Sequence, residues 1–239
     1  VANLGEAKNA DGDTNGSGEF LATAVAVLLD ADNKIVAIDL DTADIKVAWT
    51  AEGKVIATED FATKYEKGAD YGMAAYGKKH DGSEGAVKEW FEQADAFMAT
   101  AKGKTLDEVI DVTDKDGISL LEESLIARKF DIAKVLLANN AKVNNISHEG
   151  CNEFHFIASN INQDGALDIA KILLDRGTSL MVKDKKYGNS AFFTLCQEIF
   201  KVRSVEGLNF LETCFESVQE YDTCNKAGYS IRMLINERG

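Results

Sequence analysis

Four glycines, Gly117, Gly150, Gly188 and Gly228, recur in matching context through the C-terminal half of this 239-residue chain. Each follows a short polar turn and opens a helical pattern: DKDGISLLEESL, SHEGCNEFHFIA, KKYGNSAFFTLC and NKAGYSIRMLI. Between them lie DIAKVLL (131–137), DIAKILL (168–174) and the looser NFLETCF (209–215). The glycines are spaced by 33, 38 and 40 residues, taken as differences of their positions. Fixed-period self-similarity of this kind marks an array of supersecondary units that bury their apolar faces against one another. Glycine at a turn ahead of each helix supplies a positive φ without a Cβ clash. An array of this type implies work by contact rather than by chemistry.

Charge and composition narrow the partners. The net charge of −14 argues against nucleic acid, because phosphate binding needs clustered Lys and Arg to release counterions. No stretch approaches the length of a transmembrane helix. The chain begins with Val rather than Met and shows no signal peptide. All four cysteines, Cys151, Cys196, Cys214 and Cys224, lie in the C-terminal half without CxxC or metal-like spacing. They read as small apolar residues or incidental thiols, with Cys214 and Cys224 as the one pair that invites a bridge.

The same half resembles the ankyrin repeat family. Asn152, Glu153, Phe154 and His155 stand at the places of its Thr-Pro-Leu-His signature, with Ala158 following. Ser119 to Glu122 and Ser190 to Phe193 occupy those places in the flanking units. The resemblance implies an all-α ankyrin solenoid over 112–239, three helix pairs and a C-terminal cap helix. It also gives His155 a structural role, bonding backbone in the adjacent turn. The chain has no proline, so the usual Pro at the first helical turn is replaced by Ser or Asn caps. The added residues of the longer units fall at 160–166 and 198–207, where insertions are expected as loops.

Residues 1–105 contain neither Arg nor Cys, which places a domain boundary between Lys104 and Asp114. A polar, Gly-rich lead over 1–18 reads as flexible. It contains half of a calcium loop in Asp11, Asp13, Asn15 and Gly16, but the twelfth position is Ala22, where a bidentate acid would be required. Four β-like segments follow: FLATAVAVLLD, KIVAIDLD, IKVAWT and KVIATED. They read as an antiparallel meander. Val87, Trp90, Phe91, Ala94, Phe97 and Met98 recur at helical steps up to Gly103, predicting one helix that covers the sheet. The expected fold class is thus two-domain: an α+β domain over 19–108 and the ankyrin solenoid. The acidic run Asp39, Asp41 and Asp44 reads as solvated strand ends.

TKYEKGADYGM (63–73), EWFEQADAFM (89–98) and GKTLDEV (103–109) make this N-terminal half similar to the FMN-binding-like domain of secreted or lipid-anchored bacterial proteins. The resemblance implies an exported ligand-binding or scaffold domain, and hence an extracytoplasmic or cell-surface location. Unpaired cysteines on the other half suit a reducing cytosol instead. Flavin-carrying relatives attach FMN through a Ser or Thr, which GMAAYG (72–77) lacks, so no cofactor is expected.

No catalytic dyad, phosphate loop or metal cluster stands out, and the chain reads as non-enzymatic. The leading expectation is a protein that binds another protein through its turns and inner helices. His148 and Glu149 in the second turn, with Lys185, Lys186 and Tyr187 in the third, are the candidate contacts. Tyr is a frequent interface anchor, and the local basic pair suits an acidic partner surface. The alternatives are an extracytoplasmic small-molecule (flavin) binding protein and an immunity protein that neutralises a bacterial toxin.

Overall fold

A computed structural model describes residues 2–56, 61–80 and 87–239. The chain divides into two compact units, Val1–Val109 and Ile110–Gly239.

The first unit is built on a four-stranded antiparallel sheet in the order β1-β2-β3-β4. Its strands are β1 (Ala2–Lys8), β2 (Gly16–Leu29), β3 (Ile35–Trp49) and β4 (Val55–Ile56). The long β2–β3 ladder runs from Gly16 opposite Trp49 to Leu29 opposite Ile35. Asp30 turns the corner: its carboxylate accepts the Asp32 and Lys34 N–H groups, both at 2.9 Å, while Asn33 takes a φ of 60°, a conformation Asn tolerates. A Cβ on Gly16 would lie 2.2 Å from Trp49 Nε1. That glycine therefore starts a strand beneath an indole rather than closing a calcium loop.

Membership of the sheet differs from the sequence expectation. The lead expected to be flexible supplies β1 and the start of β2, and KIVAIDLD and IKVAWT run on as the single strand β3. Asp39, Asp41 and Asp44 therefore sit within a strand. Asp41 accepts the backbone N–H groups of Thr42 at 2.7 Å and Tyr65 at 3.2 Å, and Asp44 is buried. Part of the last expected strand (57–60) lies outside the described residues, and Val87, expected on the covering helix, precedes its first residue Trp90 and is exposed.

Helices then follow: α1 (Lys64–Lys67), a 3-10 turn (Gly68–Tyr71), α2 (Met73–His80), α3 (Trp90–Ala101) and α4 (Leu106–Ile110). Thr63 and Glu66 form a reciprocal capping box at the start of α1. Glu89 caps α3, and its carboxylate also accepts the Met73 N–H at 2.8 Å. Both α1 and α3 pack on β3. Tyr65 joins them, edge-on to Trp90 and Phe91, with its hydroxyl donating to Asp95 at 2.6 Å.

The second unit contains α5 (Leu120–Ile126), α6 (Phe130–Ala138), α7 (Glu153–Ala158), α8 (Ala166–Asp175), α9 (Ala191–Val202), α10 (Val205–Phe215) and α11 (Ile231–Arg238). Helices α5, α7, α9 and α11 pack in sequence, and α6, α8 and α10 pack in a second row. Ser119, Asn152, Ser190 and Ser230 cap the first row by accepting backbone N–H groups, each worth about 1 kcal/mol. The core joins Leu121, Leu125, Phe154, Ile157, Phe192 and Leu195 with Leu137 and Leu173 from the other row.

The expected fold class is corrected by these elements. What forms is a four-stranded antiparallel sheet with eleven α-helices among the described residues, and a separate all-α ankyrin solenoid is not shown. Two helices rather than one cover β3. Extended residues before α5 and α9 pair across their turns in isolated antiparallel bridges, Thr113 with Ser119 and Lys183 with Ser190. Their backbone groups need partners, so short β pairing alternates with helices. The 198–207 insertion is not a loop. It lengthens α9 and starts α10 around Arg203, whose φ is 56°.

Candidate partner-binding surface

Each glycine turn of the second unit is closed by a side chain that accepts backbone N–H groups. Asp114 accepts from Asp116 at 2.8 Å and Ile118 at 2.9 Å. Ser147 accepts from Cys151 at 3.1 Å. Asp184 accepts from Tyr187 at 2.5 Å and Asn189 at 2.9 Å. Asn225 accepts from Ala227 and Tyr229, both at 3.0 Å. Short Asp, Asn and Ser side chains can bond backbone within a turn. Their recurrence three or four residues before each glycine was the available sequence signal.

Backbone hydrogen bonds tie each turn to the next. The His148 N–H donates to the Asp116 carbonyl at 2.8 Å, Lys185 N–H to Glu149 at 2.8 Å, and Lys226 N–H to Tyr187 at 2.9 Å. Two ammonium groups reinforce the row. Lys185 Nζ donates to the His148 carbonyl at 2.8 Å, and Lys226 Nζ donates to that of Lys185. Gly150 has a φ of +78°, and a Cβ there would lie 3.1 Å from the Lys183 carbonyl oxygen. The glycine thus serves both the turn and the close approach of its neighbour.

All five sequence-derived contact residues are exposed: His148, Glu149, Lys185, Lys186 and Tyr187. The row brings the first two beside the other three. Lys185 also holds the row together, whereas the Lys186 ammonium sits 4.8 Å from the Tyr187 ring centroid. Next to Tyr187 an open groove of about 460 Å³ is lined by Phe193, Gln197, Lys226 and Tyr229 among others.

His155 lies beneath the third turn. Its Nδ1 accepts the Asn152 N–H at 3.2 Å, leaving Nε2 to donate to the Asn189 carbonyl at 3.3 Å. Burial holds its pKa below the ordinary imidazole value, which suits this neutral arrangement.

Two carboxyl groups are buried between the first and second turns. Asn145 donates its side-chain amide to Glu122 at 2.5 Å and to the Gly117 carbonyl at 2.7 Å. Its backbone N–H donates to Glu153 at 3.0 Å. One oxygen of each carboxyl, Glu122 Oε1 and Glu153 Oε2, has no hydrogen-bond partner. Burial, with a further contribution from Glu122, pushes the Glu153 carboxyl up to about 7, and burial also raises Glu122.

The four cysteines are free, with Cys214 buried and Cys224 exposed, so the pairing considered from sequence is not formed. Burial pushes the thiols of Cys151 and Cys214 up to about 11 and about 12, and raises Cys196 further. These thiols are protonated at neutral pH and poorly nucleophilic. Among the described residues no group of three or more His, Cys, Asp or Glu could hold a metal ion, and no helix is long and apolar enough to cross a membrane. No family model matches this chain, and no curated protein matches it.

Proposed function

We propose that this chain is a non-enzymatic protein-interaction module that binds a partner protein through the exposed faces of its linked turns. The observation that carries the reading is the backbone ladder from Asp116 through His148, Glu149, Lys185 and Tyr187 to Lys226. It fixes the exposed side chains on one surface before any partner arrives. Preorganisation of this kind lowers the ordering cost of association. The side chains it presents, an aromatic ring with cations beside it, belong to the types enriched at interface anchors.

The activity is contact, and no reacting group is assigned. Affinity purification from the source cells, with identification of the bound protein, supplies the partner for the test. Titration of that partner against His148→Ala, Glu149→Ala and Tyr187→Ala is then expected to lose affinity at one or more of the three. Wild-type affinity in all three would place the interface elsewhere.

A further inference from the structure

The groove beside the third and fourth turns has a composition unlike the rest of the chain. Phe193 is 4% exposed at its base, with Tyr229 edge-on at a ring-centroid distance of 6.4 Å. Tyr187 is 55% exposed, a large aromatic surface left in water. Lys186 and Lys226 both line the groove, and no Asp or Glu does. In a chain of net charge −14 this is a local inversion of sign. The acids that act on Lys186, Glu149 and Asp184, lie outside the groove lining. Asp184 is buried and spends its oxygens on the Tyr187 and Asn189 N–H groups, while Glu237 engages the Tyr229 hydroxyl. The groove is open rather than enclosed, so a small molecule would keep much of its surface in water, whereas pockets for such ligands bury most of it. An extended chain passing along the turns would cover the aromatic rings and meet both ammonium groups.

We propose that this groove seats an acidic segment of the partner protein, with one large apolar side chain against Tyr187, Phe193 and Tyr229 and carboxylates at Lys186 and Lys226. The proposal rests on the partner-binding reading above and names the chemistry of the partner. Apolar contact supplies the anchor. Opposite charge selects the partner and speeds encounter. The polar pair Asn225 and Asn189, bonded at 2.7 Å, forms part of the groove wall, and the Asn225 side-chain oxygen is already taken up by the Ala227 and Tyr229 N–H groups.

The test uses the full chain and a fluorescein-labelled octapeptide of alternating Glu and Phe, read by fluorescence anisotropy. Controls are the same peptide with Lys in place of Glu, and an oligothymidylate of similar length. Saturable binding of the acidic peptide is expected, tightening as salt falls from about 300 to about 50 mM. It is expected to weaken about tenfold in Lys186→Glu and in Tyr187→Ala, with circular dichroism unchanged. Lys186 is exposed, so its reversal leaves the core intact, and Lys186→Gln with an intermediate loss provides a second reading. Equal binding of the basic peptide, unaltered affinity in Lys186→Glu, or preferential binding of the oligothymidylate would overturn the proposal. No binding of the acidic peptide would overturn it too. The turn surface itself would still stand if the purified partner lost affinity to His148→Ala or Glu149→Ala.

Discussion

The backbone N–H of Lys226 donates to the carbonyl of Tyr187 at 2.9 Å, joining the fourth turn to the third. The Tyr187 N–H is held in turn by Asp184 at 2.5 Å. Both bonds use main-chain atoms of Tyr187, so its exposed ring takes no part in either of them. The ring can be removed without loosening the surface that presents it. This separation of scaffold from contact makes the binding face testable by side-chain substitution.

Gly150→Ala is expected to cost more stability than Gly228→Ala. Both glycines have a left-handed φ, +78° and +77°, but a Cβ at 150 would press on Lys183 and Lys185, whereas one at 228 meets nothing within 4 Å. The conformational cost alone is about 1 kcal/mol, and the clash should raise the loss at 150 to roughly 2–3 kcal/mol. Urea unfolding of the two variants decides it. Equal losses would mean that the neighbouring turn yields freely.

Glu153→Gln is expected to change how stability depends on pH. The folded carboxyl titrates at about 7 against an ordinary value of 4.5. Below the ordinary value both states are protonated and the group contributes no penalty. As pH rises from there to about 7, the unfolded chain releases a proton that the folded chain keeps, so stability falls. Glu122, raised by burial as well, acts in the same direction. His155 acts oppositely, since its depressed value makes stability fall as pH drops below the ordinary imidazole range. Comparing wild type with the Gln variant at pH 5 and pH 8 isolates Glu153. The variant should gain about 2.5 kcal/mol relative to wild type over that span. Parallel stability curves would contradict this.

Thiol labelling should be graded by burial. Cys224 is exposed, Cys151 is partly covered, and Cys196 and Cys214 are buried. A chromogenic disulfide reagent should modify Cys224 quickly in the native protein. Cys151 should follow slowly, and the remaining two only on unfolding, because the thiolate is the reactive form. Rapid modification of Cys196 or Cys214 would show that the α9–α10 packing opens readily.

The sequence spoke most clearly where structure is local. Glycine at the turns and Ser or Asn before α5, α7, α9 and α11 act within three or four residues, so their spacing was legible. Non-local features were not. The polar lead around Asn3 and Lys8 has no alternating apolar pattern, yet it pairs with β2. The chain from Ile35 to Trp49 looked broken at its acids, but Ala43 bridges to Thr63 and the Thr42 hydroxyl meets that of Thr23 at 2.9 Å. Neighbours distant in sequence keep that strand whole. In the candidate surface, exposed Tyr187 and Lys186 were readable as turn residues. Its groove was not, because Phe193 and Tyr229 are brought together across a gap of 36 residues only by packing of α9 against α11. The cluster of Glu122, Asn145 and Glu153 was hidden for the same reason.

The most direct test is titration of the purified partner against Tyr187→Ala, with Glu212→Ala on α10 as a control away from the turns. Binding by a preorganised turn surface predicts a loss of about 1–3 kcal/mol for Tyr187→Ala, with unchanged circular dichroism and wild-type affinity in the control. Wild-type affinity in Tyr187→Ala, together with a loss in Glu212→Ala, would contradict it and move the interface to the outer helices.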